Sequence, residues 1–99
     1  MANPEIVVQI KFKSALSFEE LQRVADERIE SFRALTGLTQ KYYYQIPQTG
    51  EVGGVYVWET KEDFAAYRAS DLRASIAEAY QVTGEPEVQV MEVFRLLRD

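Results

Sequence analysis

The stretch Gly53-Gly54-Val55-Tyr56-Val57-Trp58-Glu59-Thr60 (GGVYVWET) decides the fold, because it has the composition of a β-strand that runs directly into a helix start. Its β-branched and aromatic residues are typical of strands, and it carries the single tryptophan of the chain. A glycine inside a strand marks a bulge or a close approach by another group. We expect a tyrosine of the neighbouring strand to lie over the bare backbone, with a ligand as the alternative.

The residues around this stretch predict a hairpin before it and a helix after it. Residues 38–46 (LTQKYYYQI) are rich in strand formers, and the turn sequence PQTG separates them from the quoted strand. After the strand, Thr60 is a candidate helix cap. An apolar stripe with helical spacing follows, with a possible interruption at Ser70-Asp71, and Gly84 and Pro86 end the helix.

The N-terminal part of the chain predicts a strand followed by a helix, and the C-terminal part predicts a last strand. Residues 5–13 (EIVVQIKFK) alternate with period two, which predicts a strand with one buried face. Ser17 and Glu20 form a capping-box pattern before an apolar stripe that runs from Phe18 to Leu35, and Gly37 follows the helix. Residues 87–98 (EVQVMEVFRLLR) predict a long last strand that is apolar on both faces.

The resulting order, βαββαβ, is the ferredoxin-like α+β arrangement, here expected as a single domain over residues 1–99. In this fold a four-stranded antiparallel sheet carries both helices on one face. The opposite face would still be apolar, and a large exposed apolar patch usually marks an interface. We therefore expect a homodimer that joins the sheets face to face. The residues assigned to that face are Val7, Tyr43, Val55, Val57, Met91 and Val93.

The composition excludes several classes of function. The chain has no cysteine and no histidine, so thiolate nucleophiles, zinc–thiolate sites and histidine-based triads cannot be built. Its net charge of −5 argues against a nucleic-acid partner, which needs a basic surface. No apolar span is long enough to cross a membrane and no leader pattern opens the chain, so we expect a cytoplasmic protein.

The chain resembles the dimeric α+β barrel superfamily and, within it, the YdhR-type mono-oxygenases. In that family the third strand begins with Gly-Gly and runs through hydrophobic and aromatic residues into an acidic helix start. The matching residues here are 52–60 (VGGVYVWET), followed by Asp63, Phe64 and Tyr67. The element order extends the likeness over essentially the whole chain, while the specific motif covers residues 38–70.

The resemblance implies a pocket between the sheet and the helices of each protomer. In the better understood relatives, such a pocket accepts polycyclic aromatic phenols and oxidises them with dioxygen, without metal, flavin or other cofactor. This chemistry needs an electron-rich phenolate or enolate held next to oxygen in a dry cavity, with a few hydrogen-bond donors to stabilise the anion. The resemblance thus implies a cofactor-independent mono-oxygenase-like protein with a small aromatic phenol or quinone-type partner.

The relatives take their donors from Asn, Tyr, Trp and Arg side chains, and the resemblance assigns catalytic roles here to Trp58, Tyr67 and Arg73. Two departures favour binding over catalysis: Gly54 stands where a polar strand residue would be useful, and histidine is absent. The alternatives are therefore a non-catalytic small-molecule-binding or stress-type barrel, or aromatic residues that only fill the core. The residues expected to line the pocket are Tyr42, Tyr44, Gly54, Tyr56, Trp58, Phe64 and Tyr67, with Tyr42 and Tyr44 sharing the face of Tyr56 if the hairpin keeps even numbers together.

Overall fold

A computed structural model describes residues 4–98 of the chain. It contains one antiparallel sheet with the strand order β2-β3-β1-β4. The βαββαβ order is confirmed, except that the predicted second helix consists of three short pieces. The elements are β1 (Ile6–Ser14), α1 (Phe18–Arg33), β2 (Leu38–Gln45), β3 (Val52–Trp58), α2 (Lys61–Arg68), α3 (Asp71–Ala74), α4 (Ile76–Ala79) and β4 (Val82–Glu92).

One face of the sheet carries the helices and forms the core. The even-numbered residues of the two central strands, β1 and β3, point to this face, where Val8 pairs with Tyr56 and Ile10 with Gly54. The helices contribute large side chains that cover these positions. The buried core residues are Ile6, Val8, Ile10, Phe12, Phe32, Val52, Tyr56, Trp58, Tyr67, Ile76 and Tyr80.

A bulge near the start of β2 changes which residues of that strand face the core. Leu38 pairs with Trp58, but after the register shift between Leu38 and Gln40 it is Lys41 that pairs with Tyr56. An extra residue in one strand moves every later side chain to the other face. The predicted shared face of Tyr42, Tyr44 and Tyr56 is therefore wrong.

The same bulge corrects the position of Tyr43. This residue pairs with Gly54 and lies on the helix side of the sheet, not on the outer face where the sequence placed it. Val7, Val55 and Val57 keep their places on the outer face of the central strands, and Met91 does so on the edge strand β4, whereas Val93 lies beyond the end of that strand. Val7 pairs with Val57 on one side and with Met91 on the other, so these three side chains adjoin across the sheet.

The helix boundaries follow capping chemistry. The capping box is confirmed, because Ser17 accepts the amide of Glu20 and the Glu20 carboxylate accepts the amide of Ser17. The interruption at Ser70-Asp71 is also confirmed, since Ser70 caps the short helix α3. Gly84 and Pro86 do not end the helical region, which stops at Gln81 with a φ of +46°.

The last strand differs from its predicted span of 87–98. It begins at Val82 and ends at Glu92, so its first half contains the residues that were read as a helix terminator. Its register on β1 shifts between Lys11, which pairs with Glu87, and Lys13, which pairs with Thr83. Gly84, with a φ of +73°, lies in this irregular segment, where a bulge favours glycine. Within residues 4–98, none of the helices is long and apolar enough to cross a membrane.

Candidate functional site

A cavity of about 380 Å³ lies beside Trp58, between the helix face of the sheet and helices α2 and α3. Its volume falls in the range of small-molecule sites. The cavity brings together five of the eight side chains that the sequence proposed for the site, which are Tyr56, Trp58, Phe64, Tyr67 and Arg73.

Local structure explains why these residues converge. Thr60 accepts the amide of Asp63 and starts α2 two residues after the end of β3. Phe64 and Tyr67 are three residues apart on this helix, and such positions share a face. Ser70 then accepts the amide of Arg73 at 3.2 Å and starts α3, which places that arginine at the cavity. We call this space the Trp58 cavity.

Aromatic rings form the wall of the Trp58 cavity. The centroid of Tyr67 lies 5.3 Å from that of Trp58 and 5.6 Å from that of Tyr56, and Phe64 lies 6.0 Å from Trp58. These separations are typical of interacting aromatic pairs. Trp58 has no exposed surface and Tyr67 is 5% exposed, so both rings belong to the core, while Val88 on the far side of the cavity is 48% exposed.

Two hydrogen-bonding groups of this wall are incompletely satisfied. The indole Nε1 of Trp58 is buried and has no partner among the described residues. The hydroxyl of Tyr67 donates to that of Tyr56 over a long distance of 3.5 Å. An unsatisfied buried donor costs about 1–3 kcal/mol. A ligand oxygen that accepted a hydrogen bond from the indole would remove this cost.

The tyrosines of the wall are neutral donors at physiological pH. Burial raises the pKa of both Tyr56 and Tyr67, because an apolar environment disfavours the phenolate. The positive charges of Arg73 and Arg28 act on the pKa of Tyr67 in the opposite direction, but burial dominates. The site therefore offers O–H and N–H donors and a nearby positive charge, a combination suited to stabilising an oxyanion.

Three of the proposed site residues lie away from the Trp58 cavity. Tyr42 is 59% exposed and points to the outer face of the sheet. Tyr44 is also on that face, where its hydroxyl donates to the carbonyl of Ile10 at 3.2 Å. This hydroxyl lies 2.7 Å from the position of a Cβ at Gly53, so the expected cross-strand tyrosine is confirmed there.

Gly54 has a different neighbour from the one expected. A Cβ at this position would lie 3.2 Å from Cε of Lys41 and 3.3 Å from the ring of Tyr56. The space beside Gly54 is therefore filled by a lysine stem from the opposite strand, and neither a tyrosine of β2 nor a ligand is needed to explain it. The contact exists because the bulge in β2 turns Lys41 towards the core.

Sequence reasoning missed Lys41, whose amine lies among aromatic rings. Its Nζ is 3.5 Å from the ring centroid of Phe32, 4.3 Å from that of Tyr43 and 4.6 Å from that of Tyr56. Burial, with a smaller contribution from Arg28, lowers the pKa of this amine to about 7. Lys41 faces the core only because of the bulge in β2. No glycine or proline at the bulge indicates it in the sequence.

Lys41 lines a second cavity of about 240 Å³, under α1, which we call the Lys41 cavity. Ile10 and Tyr56 border both cavities, so the two spaces are neighbours along the sheet.

Solved structures with the same fold come from several organisms. The cofactor-independent oxygenase SnoaB of Streptomyces nogalater aligns with a TM-score of 0.76 at 14% identity, over 98% of this chain and 100% of that one. The monooxygenase ActVA-Orf6 of Streptomyces coelicolor, in complex with the ligand nanaomycin D, aligns with a TM-score of 0.72 at 16% identity, over 97% and 93%. Rv0793 of Mycobacterium tuberculosis aligns with a TM-score of 0.70 at 19% identity, over 94% and 98%. At these identities the likenesses show the fold.

A comparison of the sequence with family models shows which family the chain belongs to. Among curated proteins no match was found. The family described as "Putative mono-oxygenase ydhR" matches residues 7–96, which include every strand and helix described above apart from the first residue of β1. The chain therefore belongs to the YdhR mono-oxygenase family.

Proposed function

We propose that the protein binds a small aromatic phenol or hydroquinone-type molecule in the Trp58 cavity and oxidises it with dioxygen, without a cofactor. The observation that carries this proposal is the indole N–H of Trp58, which lies in the wall of an aromatic cavity and has no partner among residues 4–98. Family membership supports oxygen chemistry. The same fold in a cofactor-independent oxygenase, and in a monooxygenase solved with nanaomycin D, supports the site type.

The reaction balances with the substrate as the only reductant: a hydroquinone gives its quinone and hydrogen peroxide, QH₂ + O₂ → Q + H₂O₂, whereas an anthrone-type phenol takes up one oxygen atom. A ring methylene activated by a phenol is converted to a carbonyl, R₂CH₂ + O₂ → R₂C=O + H₂O. One oxygen atom enters the product, and the other leaves as water with the two methylene hydrogens. The anthrone-type substrate supplies all four electrons, and ionisation of its phenol makes it electron-rich enough to react.

The side chains of the cavity would favour this ionised form. Trp58 and Tyr67 would donate hydrogen bonds to the substrate oxygen, and the charge of Arg73 would lower the pKa of the bound phenol. The aromatic wall would hold the flat ring and exclude water, which strengthens each of these interactions. The phenol proton would leave to solvent as the anion forms.

Oxygen uptake with anthrone- and hydroquinone-type phenols tests the proposal. We expect Trp58→Phe, Tyr67→Phe and Arg73→Gln to lower kcat/KM by roughly tenfold to hundredfold, since each removes one group that stabilises the anion. Arg23→Gln is the matched control, because Arg23 is exposed on α1, away from the cavity, and this variant should retain the wild-type rate. Rates no higher than the protein-free reaction across the panel would contradict catalysis.

A protein that only binds and sequesters the small molecule is the second candidate. Gly54 favours binding without catalysis, because a glycine provides no polar side chain on the strand that leads to Trp58. Saturable binding of the phenol without oxygen uptake would establish this alternative.

We also propose that two copies associate through the outer faces of their sheets. Val7, Val57 and Met91 adjoin on this face, and Tyr42, which is 59% exposed, pairs with Val55 on the same face. Light scattering should give the mass of a dimer at micromolar concentration, and Val57→Lys should give a monomer because it buries a charge in the contact. A wild-type monomer would contradict the proposal.

The cytoplasm is the location proposed for this dimer, and cell fractionation tests it.

A further inference from the structure

We propose that the Lys41 cavity is a second ligand site, which binds a single-ring aromatic acid as its anion with the ammonium group of Lys41 as the counter-ion. This inference does not rest on the proposed oxidation, because it concerns a different cavity and different polar atoms.

Lys41 is a cation without an anion. The ion pairs between described residues are Lys11 with Glu87, Arg33 with Glu30 and Lys61 with Glu92, and none of them includes Lys41. Its amine instead lies over aromatic rings, the nearest at 3.5 Å. Such contacts stabilise a cation by about 0.5–2 kcal/mol, less than the loss of hydration costs. An anionic ligand would supply the missing partner.

A second cation adds to the positive potential in this region. Arg28 of α1 donates to Ser75 Oγ at 2.9 Å and to the carbonyl of Leu72 at 3.4 Å, both neutral acceptors. Its Nε is buried without a partner among residues 4–98. Arg28 also contributes to the lowered pKa of Lys41, so the two charges act on each other. Among residues 4–98, no carboxylate side chain lines the Lys41 cavity.

Tyr80 provides an independent sign of a ligand. The residue is 7% exposed and borders the Lys41 cavity, yet its hydroxyl is buried and has no partner in the described part of the chain. A buried hydroxyl is normally hydrogen-bonded, and one without a partner requires an explanation. The oxygen of a bound anion would accept a hydrogen bond from it, in the same cavity as the Lys41 ammonium.

The size and lining of the cavity indicate the class of ligand. At about 240 Å³ it is smaller than the cavities that hold drug-sized molecules. Rings of Phe12, Tyr43 and Tyr56 line it together with aliphatic side chains. One aromatic ring with a carboxylate or phenolate oxygen matches both the space and the polar groups.

The charge of Lys41 makes binding depend on pH. The titratable or charged groups near its amine are Arg28 from α1, Tyr43 from its own strand and Tyr56 from β3, and Tyr80 lines the same cavity. The pKa of each of these tyrosines is raised, so they stay neutral below pH 10. Only Lys41 changes charge between pH 6 and 9. Above pH 7, binding of the anion should therefore be accompanied by protonation of the Lys41 amine.

Calorimetric titration of the full chain with benzoate, and with benzyl alcohol as the neutral match, tests the proposal. Benzoate should bind saturably at pH 6, at least about tenfold more tightly than benzyl alcohol, because only the anion pairs with the ammonium group. Above pH 7 its affinity should fall by up to about tenfold per pH unit as the free amine loses its proton. Absence of benzoate binding, or equal binding of the two compounds, would overturn the proposal.

Variants separate the role of Lys41 from a structural one. Lys41→Met should weaken benzoate binding at pH 6 by about tenfold or more, and Lys41→Arg should keep the affinity but abolish its fall between pH 7 and 9. Tyr80→Phe should weaken binding by roughly threefold to tenfold. Lys13→Met, at an exposed position of β1, should behave as wild type. If Lys41→Met does not fold, Lys41→Arg still tests the proposal. A benzoate affinity that falls between pH 7 and 9 in Lys41→Arg as it does in wild type would refute it.

Discussion

At the scale of single residues, the two adjacent glycines of β3 have different roles. Gly53 lets the hydroxyl of Tyr44 cross the outer face of the sheet and reach the carbonyl of Ile10. Gly54 leaves room on the helix face for the stem of Lys41. The sequence was sufficient to predict a cross-strand tyrosine. It could not show which glycine the tyrosine covers, because that depends on the register of β2.

The different surroundings of the two glycines predict different costs of adding a methyl group. At Gly53 a Cβ would lie 1.9 Å from the backbone oxygen of Ile10, which cannot move without disturbing the sheet. We expect Gly53→Ala to lower the free energy of unfolding by about 2–3 kcal/mol. Gly54→Ala is the matched control, and it should cost less because it meets the flexible end of Lys41. Urea denaturation measures both, and equal losses would contradict the assignment.

At the scale of elements, local signals predicted the starts of the helices better than the ends of the strands. Ser17 and Thr60 were predicted as caps, and each accepts the amide three residues ahead; Ser70, predicted only as an interruption, caps α3 in the same way. The last strand was misplaced, because Gly84 and Pro86 form an irregular segment of β4 and not a helix terminator. The bulge in β2 carries no glycine or proline, so residue types alone could not reveal it.

The capping box of α1 gives a direct test at this scale. Ser17→Ala removes the hydroxyl that accepts the amide of Glu20 and should lower the free energy of unfolding by about 1 kcal/mol. Ser31→Ala changes the same residue type at an exposed position inside the helix, where alanine is the better helix former. This control should therefore leave stability unchanged or raise it slightly. Comparable destabilisation of both variants in thermal unfolding would refute the capping role.

At the scale of the whole molecule, the buried ionisable groups determine how stability varies with pH. The pKa of Lys41 is about 7 in the folded protein and 10.5 when unperturbed, so between these values the unfolded chain holds a proton that the folded protein has released. Stability in the absence of ligand should therefore rise with pH across this interval. Above pH 10 it should fall, because unfolded tyrosines ionise before Tyr56 and Tyr80, whose folded pKa values are raised.

Urea midpoints at pH 7, 8, 9 and 10 check this prediction. Lys41→Met should be more stable than wild type at pH 7 and should show a flatter rise, since it removes the group that titrates. Lys13→Met, which is exposed, should keep the wild-type profile. If the urea midpoint of Lys41→Met rose with pH as much as that of wild type, groups other than Lys41 would cause the pH dependence of stability.

The single tryptophan allows the central claim, that the Trp58 cavity binds the aromatic substrate, to be tested without relying on turnover. Because Trp58 is the only tryptophan, fully buried, and part of the cavity wall, its fluorescence reports directly on this site, and Arg73→Gln distinguishes it from the neighbouring Lys41 cavity. The measurement is an oxygen-free titration with a hydroquinone-type phenol, followed by tryptophan emission in wild type and in Arg73→Gln. We expect a saturable change in emission that needs higher phenol concentrations in the variant. Emission that stays constant up to millimolar phenol in the wild-type protein would contradict it.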